Sequence, residues 1–338
     1  MKNHRAPAWL WGGHAQTIWP ALYAKRRHHA SLPWLRERWS TPDGDFVDVD
    51  RQSASQPSRP LLVLFHGLEG SSQSHYAQAF ADWAAEHDIQ LALPHFRGCS
   101  GELNRGPRAY HSGDHAEIHW LLERFRADHQ AVGGRHLVAA GVSLGGNALM
   151  RWAGEHGAQA TKTADAVASI CSPLDLAASG QAIGRGFNRQ VYTRMFLRTM
   201  KPKALAKLAQ HPGLFDRHKM EAARDLYEFD NVFTAPLHGF RDTDDYWRRA
   251  SAKPVLGAIR LPALALNAGN DPFVPVNSLP TLAEVSDQVT LWQPPHGGHV
   301  GFAQGHWPGH VRGLPDAVGA WLLQAAGAFH DEEALHHG

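Results

Sequence analysis

The chain has 338 residues, of which 33 are Lys or Arg and 32 are Asp or Glu, so its formal net charge is +1 at pH 7. This near balance argues against a polyanionic partner, and we expect no nucleic acid binding. The two cysteines, Cys99 and Cys171, are too few for a disulfide framework and lack metal-ligand spacing, which favours a reducing compartment, by default the cytoplasm.

The N-terminus contains the tryptophan-rich stretch 9–19, WLWGGHAQTIW. Gly, His and Gln interrupt the apolar residues too early for a signal peptide or a membrane span, so we expect no targeting segment and no integral membrane segment. Residues 1–34 are expected to form an arm that packs on the main domain. Trp9, Trp11 and Trp19 would also suit a membrane interface or a partner.

Apolar periodicity predicts the next elements. Residues 35–51 alternate with period two around the turn TPDG at 41–44, which predicts an antiparallel hairpin at a sheet edge. The continuous apolar run LLVLF at 61–65 is typical of a central parallel strand. Helical spacing of bulky residues over 76–87 and the apolar stretch 89–94 then predict a helix followed by another strand.

Further along, Asp114 and Glu117 have the spacing of a capping box, which predicts the start of a helix there. The remaining predicted elements are strands over residues 137–140, 164–171, 261–267 and 289–293, and helices after residue 143 and over residues 315–326. Strands that alternate with helices predict an α/β fold with a mostly parallel sheet covered on both faces.

Residues 174–258 interrupt this alternation. The segment is rich in bulky side chains and too long for an ordinary crossover between strands, so we interpret it as a helical cap insertion. Its apolar residues could roof a pocket or form the core of the cap itself. The expected main domain is therefore built from residues 35–173 and 259–338, a single core with one insertion.

The stretch that carries chemistry is Gly141-Val142-Ser143-Leu144-Gly145, a GxSxG match between a predicted strand and a helix. This strand-turn-helix context is the one in which such a serine acts as a nucleophile. The glycines suit a strained turn, because side chains at 141 and 145 would collide with neighbouring backbone.

An acyl-transfer serine needs a base and an acid that orients the base, and in enzymes with this motif they follow in the order Ser, Asp or Glu, His. Asp271 and His299 fit, since each lies in a turn-rich loop directly after a predicted strand. Asp175 is an alternative acid, although its surroundings equally suit the start of a helix. His296 is an alternative base, but Gly297 and Gly298 before His299 favour the latter.

The oxyanion of the reaction would be bound by two backbone N–H groups. One is expected from Leu144, directly after the serine, and the other from Leu68 in the loop after an early strand. Glu69 is interpreted as a loop residue rather than a second acid. The histidines of the segment 111–119 lack the order of a zincin motif, and no Walker or dinucleotide glycine pattern occurs, so we expect neither a metal nor a nucleotide cofactor.

These motifs resemble the α/β-hydrolase superfamily and, more narrowly, its YheT-like group of hydrolases and esterases. The matching segments are GGHAQTIWPAL (12–22), HGLEGSSQSHY (66–76), FRGCSGELNR (96–105), YHSGD (110–114), GVSLGGNALMRW (141–152), NAGNDPFVP (267–275) and HGGHVGF (296–302). The resemblance implies an α/β-hydrolase fold, carboxylester hydrolysis and a triad at Ser143, Asp271 and His299.

The expected function is a serine carboxylesterase acting through an acyl-enzyme on small-molecule esters with small to medium apolar acyl groups. An acyltransferase or a lipid-acting hydrolase would use the same residues. A non-catalytic small-molecule binding module on this fold is a third possibility, because fold does not determine function. The oligomeric state stays open.

Overall fold

A single central sheet organises the computed structural model, which describes residues 1–23 and 33–328. Within these residues the sheet has eight strands in the order β1-β2-β4-β3-β5-β6-β7-β8. The strands are β1 (Leu35–Ser40), β2 (Phe46–Gln52), β3 (Leu61–Phe65), β4 (Gln90–Pro94), β5 (Leu137–Val142), β6 (Ala166–Ile170), β7 (Ala263–Leu266) and β8 (Val289–Trp292).

The strands pair as the sequence predicts. The pairs β1–β2 and β2–β4 are antiparallel, and all other neighbours are parallel, so the hairpin lies at the sheet edge. All residues of β3, β5, β6 and β7 are buried, because helices cover both faces of the sheet. The mostly parallel α/β fold predicted from the sequence is confirmed. The seventh strand is shorter than predicted and occupies only 263–266.

Helices fill the connections between the strands. They are α1 (Gly12–Tyr23), α2 (His75–Glu86), α3 (His115–Ala131), α4 (Leu144–His156), α5 (Leu176–Ile183), α6 (Gly186–Asn188), α7 (Arg194–Gln210), α8 (Arg217–Ala222), α9 (Leu226–Val232), α10 (Thr234–Leu237), α11 (Thr243–Ala250) and α12 (Gly313–Ala325). No helix in the described residues is long and apolar enough to cross a membrane.

Alternate residues of β3 divide the core into two halves. Val63 faces the layer of α3 and α4, where it belongs to one buried cluster with Leu121. Leu64 faces the opposite layer and joins Phe80 of α2 and Val318 of α12. The side-chain alternation of a strand therefore supplies apolar surface to both helical layers at once.

Residues 174–258, the cap segment, contain only helices as regular structure, as predicted. The cap segment has an apolar cluster of its own, which includes Leu197, Met220 and Phe229. The division of the chain into an arm, a main domain and a cap stays a prediction. Its parts at residues 24–32 and 329–338 lie outside the described residues.

Candidate active site

Ser143 lies between the end of β5 and the start of α4. Its φ of 53° and ψ of −118° are rarely adopted by a residue with a side chain. The surrounding backbone permits this turn only with glycine at two positions. A Cβ at Gly141 would lie 2.5 Å from the carbonyl oxygen of Gly145, and a Cβ at Gly145 would lie 2.5 Å from that of His66.

The structure brings Ser143, His299 and Asp271 together. Nε2 of His299 lies 3.0 Å from Oγ of Ser143, and Nδ1 of His299 lies 2.8 Å from Oδ2 of Asp271. The carboxylate of Asp271 cannot act as a donor when ionised, so Nδ1–H donates to it and Nε2 accepts from the serine hydroxyl. The Asp271 side chain is fully buried, and the backbone N–H of Phe273 donates to its Oδ1 at 2.8 Å.

The two alternatives from the sequence occupy other positions. The side chain of Asp175 accepts a hydrogen bond from the backbone N–H of Ala178 and caps α5, as an ordinary helix start does. His299, and not His296, contacts Ser143. Buried Nδ1 of His296 has no hydrogen-bond partner.

The loop after β3 lies beside the nucleophile. A Cβ on Gly67 would be 3.3 Å from Cβ of Ser143, so the backbone directly before Leu68 lies next to the nucleophile. Tyr76 holds this loop through its hydroxyl, which accepts from the Gly67 N–H at 2.9 Å. Sequence reasoning did not identify Tyr76 as a residue that supports this loop, although the matching segment HGLEGSSQSHY contains it.

His66 supports the same loop from inside the protein. Its Nδ1 donates to the Gly67 carbonyl at 2.7 Å, and its Nε2 accepts from the Phe96 N–H at 3.0 Å. Complete burial lowers the pKa of His66 to about 3, so the ring is neutral at pH 7 and can play both roles.

Glu69 directly follows Leu68 and has a positive φ of 56°. It is a loop residue, as expected, but it also connects the main domain to the cap segment. Its Oε2 is 2.8 Å from Nζ of Lys203 on α7, and its Oε1 accepts from the Tyr110 hydroxyl at 2.9 Å. Nothing in the sequence indicated Lys203, because its partner lies in a distant loop.

Cys99 lies beside this ion pair, with Sγ 3.9 Å from a Glu69 carboxylate oxygen. Burial raises the pKa of the Cys99 thiol to about 12. The thiol is therefore protonated at pH 7 and a poor nucleophile.

A mainly apolar cavity lies over Ser143 and His299 between the main domain and the cap segment. Of the bulky cap residues, Phe196, Met200 and Phe229 line this cavity, whereas Leu197 packs in the core of the cap segment and Met195 is exposed. The bulky residues of the cap segment therefore serve both expected purposes, since some line the cavity and others form the core of the cap segment.

Asp230 and His111 are among the polar residues that line the cavity wall. Asp230 accepts from the Thr234 hydroxyl and from the Trp247 indole N–H, and burial raises its pKa to about 6. His111 lies in the loop before α3, with its ring centroid 4.4 Å from that of His238. Among the described residues, no three His, Cys, Asp or Glu side chains are grouped so that they could hold a metal ion.

Comparison with known proteins agrees with this arrangement. A family model described as alpha/beta hydrolase fold matches residues 60–305. A protein of Escherichia coli (strain K12) named "Putative esterase YheT" is 38% identical over 313 residues, which cover 91% of this chain and 89% of the relative. The chain belongs to the α/β-hydrolase family, in its YheT-like group. It is thus a hydrolase of this family.

More distant relatives of this α/β-hydrolase act on lipids by name. "Phospholipase ABHD3" of Mus musculus is 28% identical, with coverage of 89% of this chain and 73% of the relative. "Monoacylglycerol lipase" of Saccharomyces cerevisiae is also 28% identical, with coverage of 79% and 59%. The solved Pyrococcus furiosus esterase PF2001 shares the fold at 15% identity, with a TM-score of 0.53 over 95% of this chain and 97% of that one.

Proposed function

We propose that this α/β-hydrolase is a serine carboxylesterase in which Ser143 is the nucleophile, His299 the general base and Asp271 the residue that orients the base. The observation that carries the proposal is the hydrogen-bonded chain from Ser143 Oγ through the imidazole to Asp271, at 3.0 and 2.8 Å, under an apolar cavity. This arrangement has the geometry that a general base needs.

In the first half of the reaction, Ser143 Oγ attacks the ester carbonyl carbon while its proton moves to Nε2 of His299. The carbonyl oxygen becomes an oxyanion that accepts hydrogen bonds from the N–H groups of Leu68 and Leu144. When the bond from the carbon to the alkoxy oxygen breaks, Nε2–H protonates the leaving alkoxide, and an alcohol departs. Asp271 stabilises the imidazolium that forms between these two steps.

In the second half, a water molecule attacks the acyl-enzyme and gives a proton to Nε2 of His299. A second oxyanion forms in the same site. Its collapse breaks the bond to Ser143 Oγ, which takes the proton back from the imidazolium, and a carboxylic acid is released. An alcohol in place of water would give acyl transfer, so exclusion of water by the cap segment would decide between the two outcomes.

The substrate class that we propose is esters with small to medium apolar acyl groups. The cavity supports this assignment through the apolar side chains of Phe196, Met200 and Phe229. The relatives named as phospholipase and monoacylglycerol lipase support lipid esters as a second candidate class.

Labelling with a fluorophosphonate probe, followed by peptide mapping, tests the proposal. We expect label on Ser143 alone, and loss of both label and p-nitrophenyl ester hydrolysis in Ser143→Ala. Ser286→Ala is a matched control, since this serine lies before β8 and does not line the cavity. Label on another residue, or unchanged hydrolysis in Ser143→Ala, would refute the triad. A binding module would take up no label at all.

A further inference from the structure

The N-terminal helix α1 contacts both loops that carry the partners of Ser143. The side chain of Gln16 is buried, with an exposed fraction of 3% for the residue. Its Oε1 accepts from the backbone N–H of Gly297 at 3.0 Å and from Nδ2 of Asn270 at 2.8 Å. Its Nε2 donates to the Leu10 carbonyl at 3.0 Å. A single amide therefore joins the loop of Asp271 to the loop of His299.

Two further hydrogen bonds complete this connection. Oδ1 of Asn270 accepts from the Gly298 N–H at 3.0 Å, and Oγ1 of Thr17 accepts from the N–H of His299 itself at 2.8 Å. The Thr17 hydroxyl donates in turn to the Gly13 carbonyl at 2.7 Å. Consecutive N–H groups of residues 297–299 are thus held by α1 and by the neighbour of Asp271.

The backbone of α1 packs directly against the backbone of the two loops. A Cβ on Gly13 would lie 1.9 Å from the Asn270 carbonyl oxygen, and a Cβ on Gly301 would lie 1.8 Å from that of Gln16. Backbone approaches this close require glycine on both sides. The positions of α1 and the two loops therefore depend on each other.

The loop of His299 needs such support. It leaves β8, the last strand of the sheet, and no helix or strand occurs in it before α12 begins at residue 313. An irregular segment has no repeating backbone hydrogen bonds of its own, so contacts with other elements must fix its backbone. Val300 and Phe302 are held in the core, and Val300 N–H contacts Cys171 Sγ, whereas the N–H groups of residues 297–299 are held by the bonds described above. Catalysis by a base requires its position to be held within roughly 0.5 Å.

We propose that Gln16 and Thr17 are positioning residues that set the distances from His299 to Asp271 and to Ser143. The proposal rests on the proposed function of the triad. Neither side chain touches the reacting atoms, so each acts only through the backbone of the loops. Their loss is expected to lower kcat and to leave KM unchanged, because the cavity wall is not altered.

Matched substitutions test the proposal. Thr17→Val keeps the shape of the side chain and removes the acceptor for the His299 N–H, and we expect kcat to fall about tenfold. Thr17→Ser restores the hydroxyl and should keep kcat within about twofold of the wild type. Gln16→Met removes both bridging hydrogen bonds and should lower kcat about a hundredfold, the loss typical of a 1 Å misplacement.

Gln52→Met is the control, because Gln52 is another buried glutamine but lies on β2, separated from β7 by four strands. We expect it to lower the melting temperature and to leave kcat per folded molecule unchanged. Wild-type kcat in folded Thr17→Val and Gln16→Met would overturn the proposal. The proposal would also be overturned if the loss of kcat in these two variants were fully explained by a smaller fraction of folded protein.

Hydrogen exchange of the amides in 296–302 gives a readout that is independent of the chemistry. We expect faster exchange there in Thr17→Val and Gln16→Met and wild-type exchange in Thr17→Ser. If the wild type takes no label on Ser143 while exchange responds as expected, the proposed function fails and the positioning stands. If Ser143 is labelled and neither exchange nor kcat responds, the positioning fails alone.

Discussion

Replacement of Lys203 by methionine tests whether the cap segment contributes charge to the reaction. Lys203 forms an ion pair with Glu69. Glu69 directly follows Leu68, the proposed oxyanion donor. Both charged side chains line the cavity. Without Lys203, the carboxylate of Glu69 would face the developing oxyanion without compensation, and we expect kcat to fall.

The size of the effect follows from Coulomb's law. Two like charges on the order of 8 Å apart repel each other by about 2 kcal/mol at an effective dielectric constant of 20. The Lys203 side chain is 37% exposed and that of Glu69 is 10% exposed, so solvent screens part of the interaction. We expect about 1.4 kcal/mol in the activation free energy, which corresponds to about a tenfold loss of kcat.

Steady-state hydrolysis of a p-nitrophenyl ester measures this loss, with kcat and KM determined separately for four proteins: the wild type, Lys203→Met, Glu69→Gln and the double variant. The double variant removes the unpaired carboxylate and should recover kcat to within about threefold of the wild type. Lys201→Met is the control on the same helix, because Nζ of Lys201 donates to carbonyl groups of Glu221 and Ala223 within the cap segment.

A purely mechanical role for the ion pair would give a different pattern. If Lys203 only fastened the cap segment to the loop, Glu69→Gln would be as harmful as Lys203→Met, and the double variant would show no recovery. Equal losses in these three variants would refute the electrostatic argument.

Three further predictions concern stability. Burial lowers the pKa of His66 and His238 to about 3 and that of His111 to about 4 in the folded protein. Below about pH 6.5 these histidines therefore bind more protons in the unfolded chain than in the folded one. As the pH falls from 7 to 5, each of the three should reduce the free energy of unfolding, measured by urea denaturation, by about 2 kcal/mol. Gly145→Ala should destabilise the protein by about 1–3 kcal/mol, seen as a lower urea midpoint, and should reduce kcat, because its Cβ would meet the backbone of Phe65 and His66 at the end of β3, directly before the loop of Leu68. Arg97→Met should cost about 3–5 kcal/mol in the same assay, since it leaves three partner carboxylates without their cation.

Controls and contrary outcomes are specific to each of these predictions. Buried Asp230 and Glu117, whose pKa values are raised to about 6 and about 7, bind protons in the folded state over the same range and offset part of this loss, so a urea midpoint that does not fall from pH 7 to pH 5 would show that the histidine contribution is smaller than expected. Gly257→Ala is the control for glycine, because a Cβ there would lie 3.7 Å from the nearest heavy atom. Wild-type stability of Arg97→Met would contradict the ion-pair prediction.

The fold was predictable from local patterns. The continuous apolar run of β3 predicted a strand buried on both faces, and Asp114 predicted the start of α3, where its side chain accepts from the Glu117 N–H. Such signals depend on neighbours within a few residues, and backbone hydrogen bonding and burial act at that range.

The candidate site was predictable for a related reason. The carboxyl ends of parallel strands meet at one edge of a sheet, so chain order together with the turn-rich loops after the strands favoured Ser143, Asp271 and His299 over the alternatives. The structure has their side chains in hydrogen-bond contact. Their catalytic roles stay a proposal until the probe is applied.

The sequence by itself thus determined the order of strands and helices, the strained serine turn and the loops that hold its partners. Only the tertiary structure decided which distant residues support these loops and which line the cavity over the serine. Gln16 is 281 residues from Gly297, and Lys203 forms an ion pair with Glu69 in the lining of the cavity. A polar side chain on a helix has the same local pattern whether it faces solvent or a distant loop, because its partner is selected by the packing of whole elements and not by its neighbours in the chain.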